Sequence, residues 1–130
     1  MTLLLDTHAL IWLLSDSARI PGETRTAMME NDLCVSIASL WEIGIKASLK
    51  REEKRLNINK SISQIAEMCE IQGIDILPIT PEACERVRAL PHIHEDPFDR
   101  MIVIQAILGG MALVTKDENI WKYPGIKTLW

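Results

Sequence analysis

The chain has 130 residues, enough for one domain with a sizeable core, and its 48% hydrophobic and 25% charged content excludes a disordered polymer. A net charge of −4 excludes a surface that attracts nucleic acid everywhere. Cys34, Cys69 and Cys84 are odd in number and lack CxxC spacing, so they read as buried thiols of a reducing compartment rather than a disulfide framework or zinc site.

In chain order, Leu3–Leu5 reads as a strand that stops on Asp6, followed by a short helix through Ala9–Leu14. The apolar run Thr2–Leu14 is not a signal core, because Asp6 and His8 interrupt it and Ser15-Asp16-Ser17 is a poor cleavage site. No later stretch approaches an uninterrupted membrane span, so the expected location is the cytoplasm. A second helix starts near Pro21, where proline suits the first turn. Leu33–Ser36 is a second strand, and Ala38–Lys50 a helix with Leu40, Trp41, Ile45 and Leu49 as its apolar positions. The charged stretch Lys50–Lys60 reads as a surface excursion. Ser61–Gln72 is a helix stopped by Gly73. Asp75–Ile79 is a third strand, and Thr80-Pro81-Glu82 opens another helix. Pro97–Leu108 is an apolar helix ended by Gly109-Gly110, with strands at Ala112–Val114 and Ile126–Leu129 after it. Strands alternating with helices imply βαβ units and a parallel sheet covered on both faces.

Acids stand where these strands stop. In a parallel sheet the carboxyl ends of the strands line one crevice, so acids gathered there repel one another and call for a counter-charge. A hard divalent cation, Mg²⁺ or Mn²⁺, is the economical one. Each acid also has an ordinary structural explanation. Asp6 or Thr7 can cap the first helix, and Asp117 a short helical segment near Asn119–Trp121. Asp96-Pro97-Phe98-Asp99 resembles an N-cap with proline at N1 and an acid at N3. Glu42 sits among apolar residues of its helix and is either an ion pair with Lys46 or an active-site acid. Thr115 and Thr7 are placed to orient a carboxylate or a bound water. His92 and His94 form an HxH pair that no further ligand cluster completes into a zinc site, so both read as loop histidines, and His8 as a structural residue near the crevice. Lys46, Lys50, Arg51, Lys54, Arg55 and Lys60 are the main basic concentration, interrupted by Glu52 and Glu53. No Gly-rich phosphate loop, GxSxG elbow or GxGxxG fingerprint is present.

Taken together, Leu4-Leu5-Asp6-Thr7-His8-Ala9-Leu10-Ile11-Trp12, Ser39-Leu40-Trp41-Glu42-Ile43, Asp96-Pro97-Phe98-Asp99-Arg100 and Leu113-Val114-Thr115-Lys116-Asp117 resemble a PIN domain. The likeness is closest to the VapC-type toxins of bacterial toxin–antitoxin pairs, and it runs the length of the chain. It implies a three-layer α/β/α fold with a central, mainly parallel sheet in a single domain spanning residues 1–130. It also implies a metal-dependent endoribonuclease that hydrolyses RNA phosphodiester bonds and is neutralised by a VapB-like antitoxin. Carried over by motif, Asp6, Glu42, Asp99 and Asp117 are the expected catalytic and metal-binding acids, with Asp96, Thr7 and Thr115 auxiliary. Lys46 and Arg100 are the expected substrate contacts, Mg²⁺ or Mn²⁺ the cofactor, and a homodimer the expected assembly. The antitoxin is expected to lay apolar anchors near the early helices around Trp12 and Trp41. Alternative readings are a PIN-type nuclease of RNA processing or decay without an antitoxin, and a non-catalytic module whose acids only cap helices. A receiver-like phosphotransfer domain also gathers acids at strand ends, but the strand-end lysine it needs is not evident.

Overall fold

The computed structural model describes residues 1–48 and 59–130. The expected helix end at Leu49–Lys50 and most of the Lys50–Lys60 excursion, with Lys50, Arg51, Lys54 and Arg55, lie outside the described residues. The elements run β1 (Thr2–Leu5), α1 (Thr7–Leu14), α2 (Gly22–Glu30), β2 (Asp32–Ser36), α3 (Ile37–Ala47) and α4 (Ile62–Ile71). They continue with β3 (Ile74–Leu77), α5 (Pro81–Val87), α6 (Pro97–Gly109), β4 (Ala112–Val114), α7 (Glu118–Trp121) and β5 (Lys127–Leu129).

The strands form one sheet in the order β3-β2-β1-β4-β5, and every pairing is parallel. From β1 the chain steps through β2 to the β3 edge, then returns to the other side of β1 for β4 and β5. Right-handed crossovers place helices on one face while the chain moves one way, and on the opposite face once it reverses. The core divides accordingly. Leu3, Leu5, Val35 and Val114 pack with Leu10, Met28, Leu40, Ile43, Ile65 and Cys69 of α1 to α4. Leu4, Cys34 and Leu113 point the other way, onto Ala83, Ile102, Val103, Ala106 and Ile120 of α5 to α7. This two-residue alternation is strand geometry, and β1, covered on both faces, accordingly reads as an unbroken leucine run.

Element ends follow local chemistry. α6 stops where Gly110 turns left-handed at φ 62°, letting the Met111 amide reach back to the Ala106 carbonyl at 2.9 Å. β3 is shorter than the expected Asp75–Ile79 and ends at Leu77, because Pro78 has no amide to continue the ladder. α1 begins earlier than expected, at Thr7, since the Asp6 carbonyl already accepts from the Leu10 amide at 3.0 Å. Cys34 and Cys69 are buried as expected, whereas Cys84 is exposed because the outer face of α5 meets solvent. Among the described residues no helix is long and apolar enough to cross a membrane.

Candidate active site at the carboxyl ends of β1 and β4

The chain reverses direction between β1 and β4, and at such a switch point the loops leave neighbouring strands on opposite faces and open a crevice. Asp6 leaves β1 into this crevice, and Thr115 and Asp117 leave β4. α3 contributes Glu42 and Lys46 from one side, and the start of α6 brings Asp96 and Asp99 from the other. The cleft is lined by Asp6, Glu42, Lys46, His94, Asp99 and Asp117, with His8, Trp12, Lys116 and Lys122 further round its wall.

Capping and site chemistry prove compatible, because a carboxylate has two oxygens. Asp6 caps α1 through Oδ1, which accepts from the Ala9 amide at 2.7 Å. Asp96 caps α6 through Oδ1, accepting from the Phe98 and Asp99 amides at 2.8 and 3.1 Å, and its Oδ2 lies 3.4 Å from Lys46 Nζ. Asp117 caps α7 through Oδ1, accepting from the Asn119 amide at 2.9 Å, while its Oδ2 meets His94 Nε2 at 2.8 Å. A cap of this kind is worth about 0.5–2 kcal/mol, and it fixes the rotamer of an acid that also faces the cleft. Asp99 is not a cap. Its Oδ2 lies 3.2 Å from His94 Nε2.

Glu42 is 2% exposed, and of the alternatives read for it the ion pair with Lys46 is present. Its Oε2 is paired with Lys46, and its Oε1 accepts from the Thr7 hydroxyl at 2.5 Å. With that proton committed to Glu42, Thr7 accepts in turn from Ser39 Oγ at 3.0 Å. Thr115 does similar work across the cleft. Its hydroxyl accepts from the Asp117 amide at 3.1 Å and lies close enough to the Asp6 carboxyl to lower its pKa.

Crowded acids are reluctant to ionise. Burial pushes the Asp6 carboxyl above its ordinary value of 3.8, and Glu42 adds to the rise against bonds from Thr115 and the Ala9 amide. Burial, then the charges of Asp96 and Glu42, push Asp99 up to about 7, with His94 pulling the other way. Burial works against the Lys46 charge, but Glu42 and Asp96 outweigh it and hold the ammonium above its ordinary value.

A stability prediction follows from Asp99. Between pH 3.8 and about 7 the folded chain keeps a proton on Asp99 that the unfolded chain has lost, so this group's contribution falls as pH rises through that window. In EDTA, the melting temperature of Asp99→Asn relative to the unaltered protein is expected to climb from pH 5 to pH 8. Parallel curves for the two proteins would refute it. Added Mg²⁺ should recover most stability at the high-pH end, because a cation takes the deprotonated carboxylate.

The donor set suits such a cation. One ligand atom each from His94, Asp99 and Asp117 lies within 4.8 Å of the others, a spacing that oxygen–metal distances of about 2–2.5 Å can span. Of the four acids expected to converge, Asp99 and Asp117 belong to this tight group, while Asp6 and Glu42 line the same cleft beside it. Arg100 departs from expectation. It is buried, and its guanidinium donates to the carbonyls of Pro91, Val87 and Leu90 at 2.9, 3.2 and 3.1 Å, so it braces the loop between α5 and α6 rather than facing a substrate. Sequence reasoning missed Ser39 and His94. His92 is exposed as expected of a loop residue, but His94 stands between the two acids. Its position two residues before the Asp96 cap was the available signal.

Comparison with known proteins agrees with this geometry. The PIN-domain family model matches residues 3–126. Ribonuclease VapC22 of Mycobacterium tuberculosis is 31% identical over 133 residues, spanning 99% of this chain and 98% of that protein. The VapBC2 complex of Rickettsia felis bound to a promoter DNA fragment contains a chain of the same fold, with a TM-score of 0.68 at 16% identity over 99% of this chain and 98% of that one. DNA-bound VapBC of Salmonella typhimurium gives 0.67 at 21% identity over 99% and 97%. By its matching model and its full-length similarity to VapC22, the chain belongs to the PIN-domain family.

Proposed function

We propose that the protein is a Mg²⁺- or Mn²⁺-dependent endoribonuclease of the cytoplasm and the toxin of a toxin–antitoxin pair, folded as a single domain. The observation that carries this reading is the convergence of Asp99, Asp117, Asp6 and Glu42 on one cleft at the switch between β1 and β4. The similarity to a VapC ribonuclease supports it. Asp99 and Asp117, with Asp6 beside them, would hold the cation. When bound, it supplies Lewis-acid polarisation of the scissile phosphate and acidifies water for in-line attack. The chain's own part is positional. Thr115 holds the Asp117 backbone beside Asp6, Thr7 and Ser39 orient Glu42, and Lys46 partly neutralises Glu42 and Asp96 so that a polyanionic RNA can approach. Lys116 and Lys122 on the rim are placed to meet flanking phosphates.

Sequencing of RNA ends after expression tests the reaction, with Asp6→Asn as the control. The expected products carry a 5′-phosphate and a 3′-hydroxyl, and EDTA stops their formation. Cleavage that persists in EDTA, or in Asp6→Asn, would refute the assignment.

Apolar surfaces suit the partners. Leu10, Ile11, Leu14, Ile43, Ile65 and Met68 line a groove between α1 and α4 where the apolar anchors of an antitoxin segment would lie. On α3, Ile37, Trp41 and Ile45 form a one-turn-spaced exposed stripe, with Trp41 61% exposed and braced edge-on against Phe98. A stripe of this kind is the natural contact for a second copy in a two-fold dimer. Light scattering is expected to give the mass of a dimer at micromolar concentration, and Trp41→Glu to give a monomer. A monomeric unaltered protein at every concentration would sink the dimer.

A further inference from the structure

The cleft holds one polar ring that the family's acid motifs do not account for. His94 lies on the loop before α6, and its backbone is clamped from the far side by Tyr123, a buried residue near the C-terminus. The Tyr123 hydroxyl accepts from the His94 amide at 2.9 Å and donates to the His94 carbonyl at 3.4 Å. On the ring, Nδ1 accepts from the Asp96 amide at 3.1 Å. An amide is always a donor, so Nδ1 must present a lone pair and the imidazole proton must sit on Nε2. That Nε2 lies 2.8 Å from Asp117 Oδ2 and 3.2 Å from Asp99 Oδ2.

We propose that His94 is a positioning residue of the metal site: its Nε2 hydrogen-bonds Asp117 and lies 3.2 Å from Asp99, so that these carboxylates are held at the spacing a divalent cation bridges. The inference rests on the metal-site reading above and deepens it. Two carboxylates drawn together repel, and a donor placed against both of them offsets that repulsion. Lys46 stands between Glu42 and Asp96, and His94 stands between Asp99 and Asp117. The same geometry argues against His94 as a ligand. Ligation through Nε2 would need the proton on Nδ1, where it would meet the Asp96 amide donor against donor and break the contact that sets the start of α6.

Two measurements on the full chain test this. Two-bond ¹H–¹⁵N spectra of the protein saturated with Mg²⁺ should keep His94 in the Nε2–H tautomer. A switch to Nδ1–H on loading would make it a ligand and overturn the proposal. Calorimetric titration with Mn²⁺ alone should show affinity weakened about 10–100-fold in His94→Ala, the usual size for an outer partner of a metal ligand. His94→Gln, whose amide nitrogen reaches close to the Nε2 position, should recover most of that loss, and Tyr123→Phe should weaken binding by less than His94→Ala. Should His94→Ala fold poorly, the Gln and Phe variants still decide the matter. Unchanged or tighter Mn²⁺ binding in His94→Ala, or identical binding in His94→Gln and His94→Ala, overturns the proposal. If the unaltered protein binds no Mn²⁺, the metal-site reading itself fails and this inference with it.

Discussion

Replacing Asp99 by asparagine is expected to abolish EDTA-sensitive RNA cleavage while leaving the protein at least as stable as before. The activity loss should be roughly 10²–10⁴-fold, corresponding to the several kcal/mol that a correctly held Lewis acid contributes to a phosphoryl transition state. The opposite sign for stability follows from position. Asp99 is the N3 residue of α6 but makes no capping bond, so asparagine sacrifices none, and it removes a charge that burial, Asp96 and Glu42 all disfavour. Above pH 7 the melting temperature of Asp99→Asn should therefore rise by a few degrees, at about 3–6 °C per kcal/mol for a chain of this size. Asp6→Asn is the companion experiment. Asparagine caps a helix about as well as aspartate, so the Ala9 contact survives while the charge is lost. Loss of activity together with a clear loss of stability in both variants would favour acids that serve only as caps. Loss of activity with stability kept or gained would confirm acids that serve the cleft.

Much of this site could be read from the sequence because its signals are local. Leu3-Leu4-Leu5 followed by Asp6, and Ala112-Leu113-Val114 followed by Thr115 and Asp117, mark strand ends wherever the strands lie. A parallel α/β sheet then delivers those ends to one edge. Asp96-Pro97 marks a helix start in the same way. What escaped reading depends on direction or on distance. Asp99 and Arg100 are neighbours in sequence, yet one step along a helix turns a side chain by about 100°, so the two leave α6 in different directions. That the two diverge follows from helix geometry, whereas the carbonyls that Arg100 meets do not. Nor does the role of His94, because its partner Asp117 is 23 residues away and its clamp Tyr123 is 29 away. Only the packing of α7 and the segment after it against the α5–α6 loop brings them together. The division of labour within each aspartate was equally hidden, since a sequence gives the residue and not which oxygen goes where.

Replacing Arg100 by methionine is expected to weaken the fold and spare the chemistry. Arginine at this position is 7% exposed, and its planar fork satisfies carbonyls of Val87, Leu90 and Pro91, the residues that carry the chain from α5 into the loop before α6. Methionine fills similar space without a donor, leaving those carbonyls to find water or remain unpaired. Hydrogen bonds to a charged group contribute about 1.5–3 kcal/mol each, and water reaching the loop recovers part of that, so a net loss of about 2–4 kcal/mol is expected. Against a total stability of about 5–15 kcal/mol this is a large fraction, visible as a fall in melting temperature on the order of 10 °C. At a temperature where the variant remains folded, its KM for an RNA substrate should match that of the unaltered protein, because the guanidinium faces the loop and not the cleft. A phosphate-binding arginine predicts the reverse, with KM raised, a weaker dependence of binding on salt, and an unchanged melting temperature. Observing that second pattern would restore Arg100 to the substrate side and require the guanidinium to leave its carbonyls when RNA arrives.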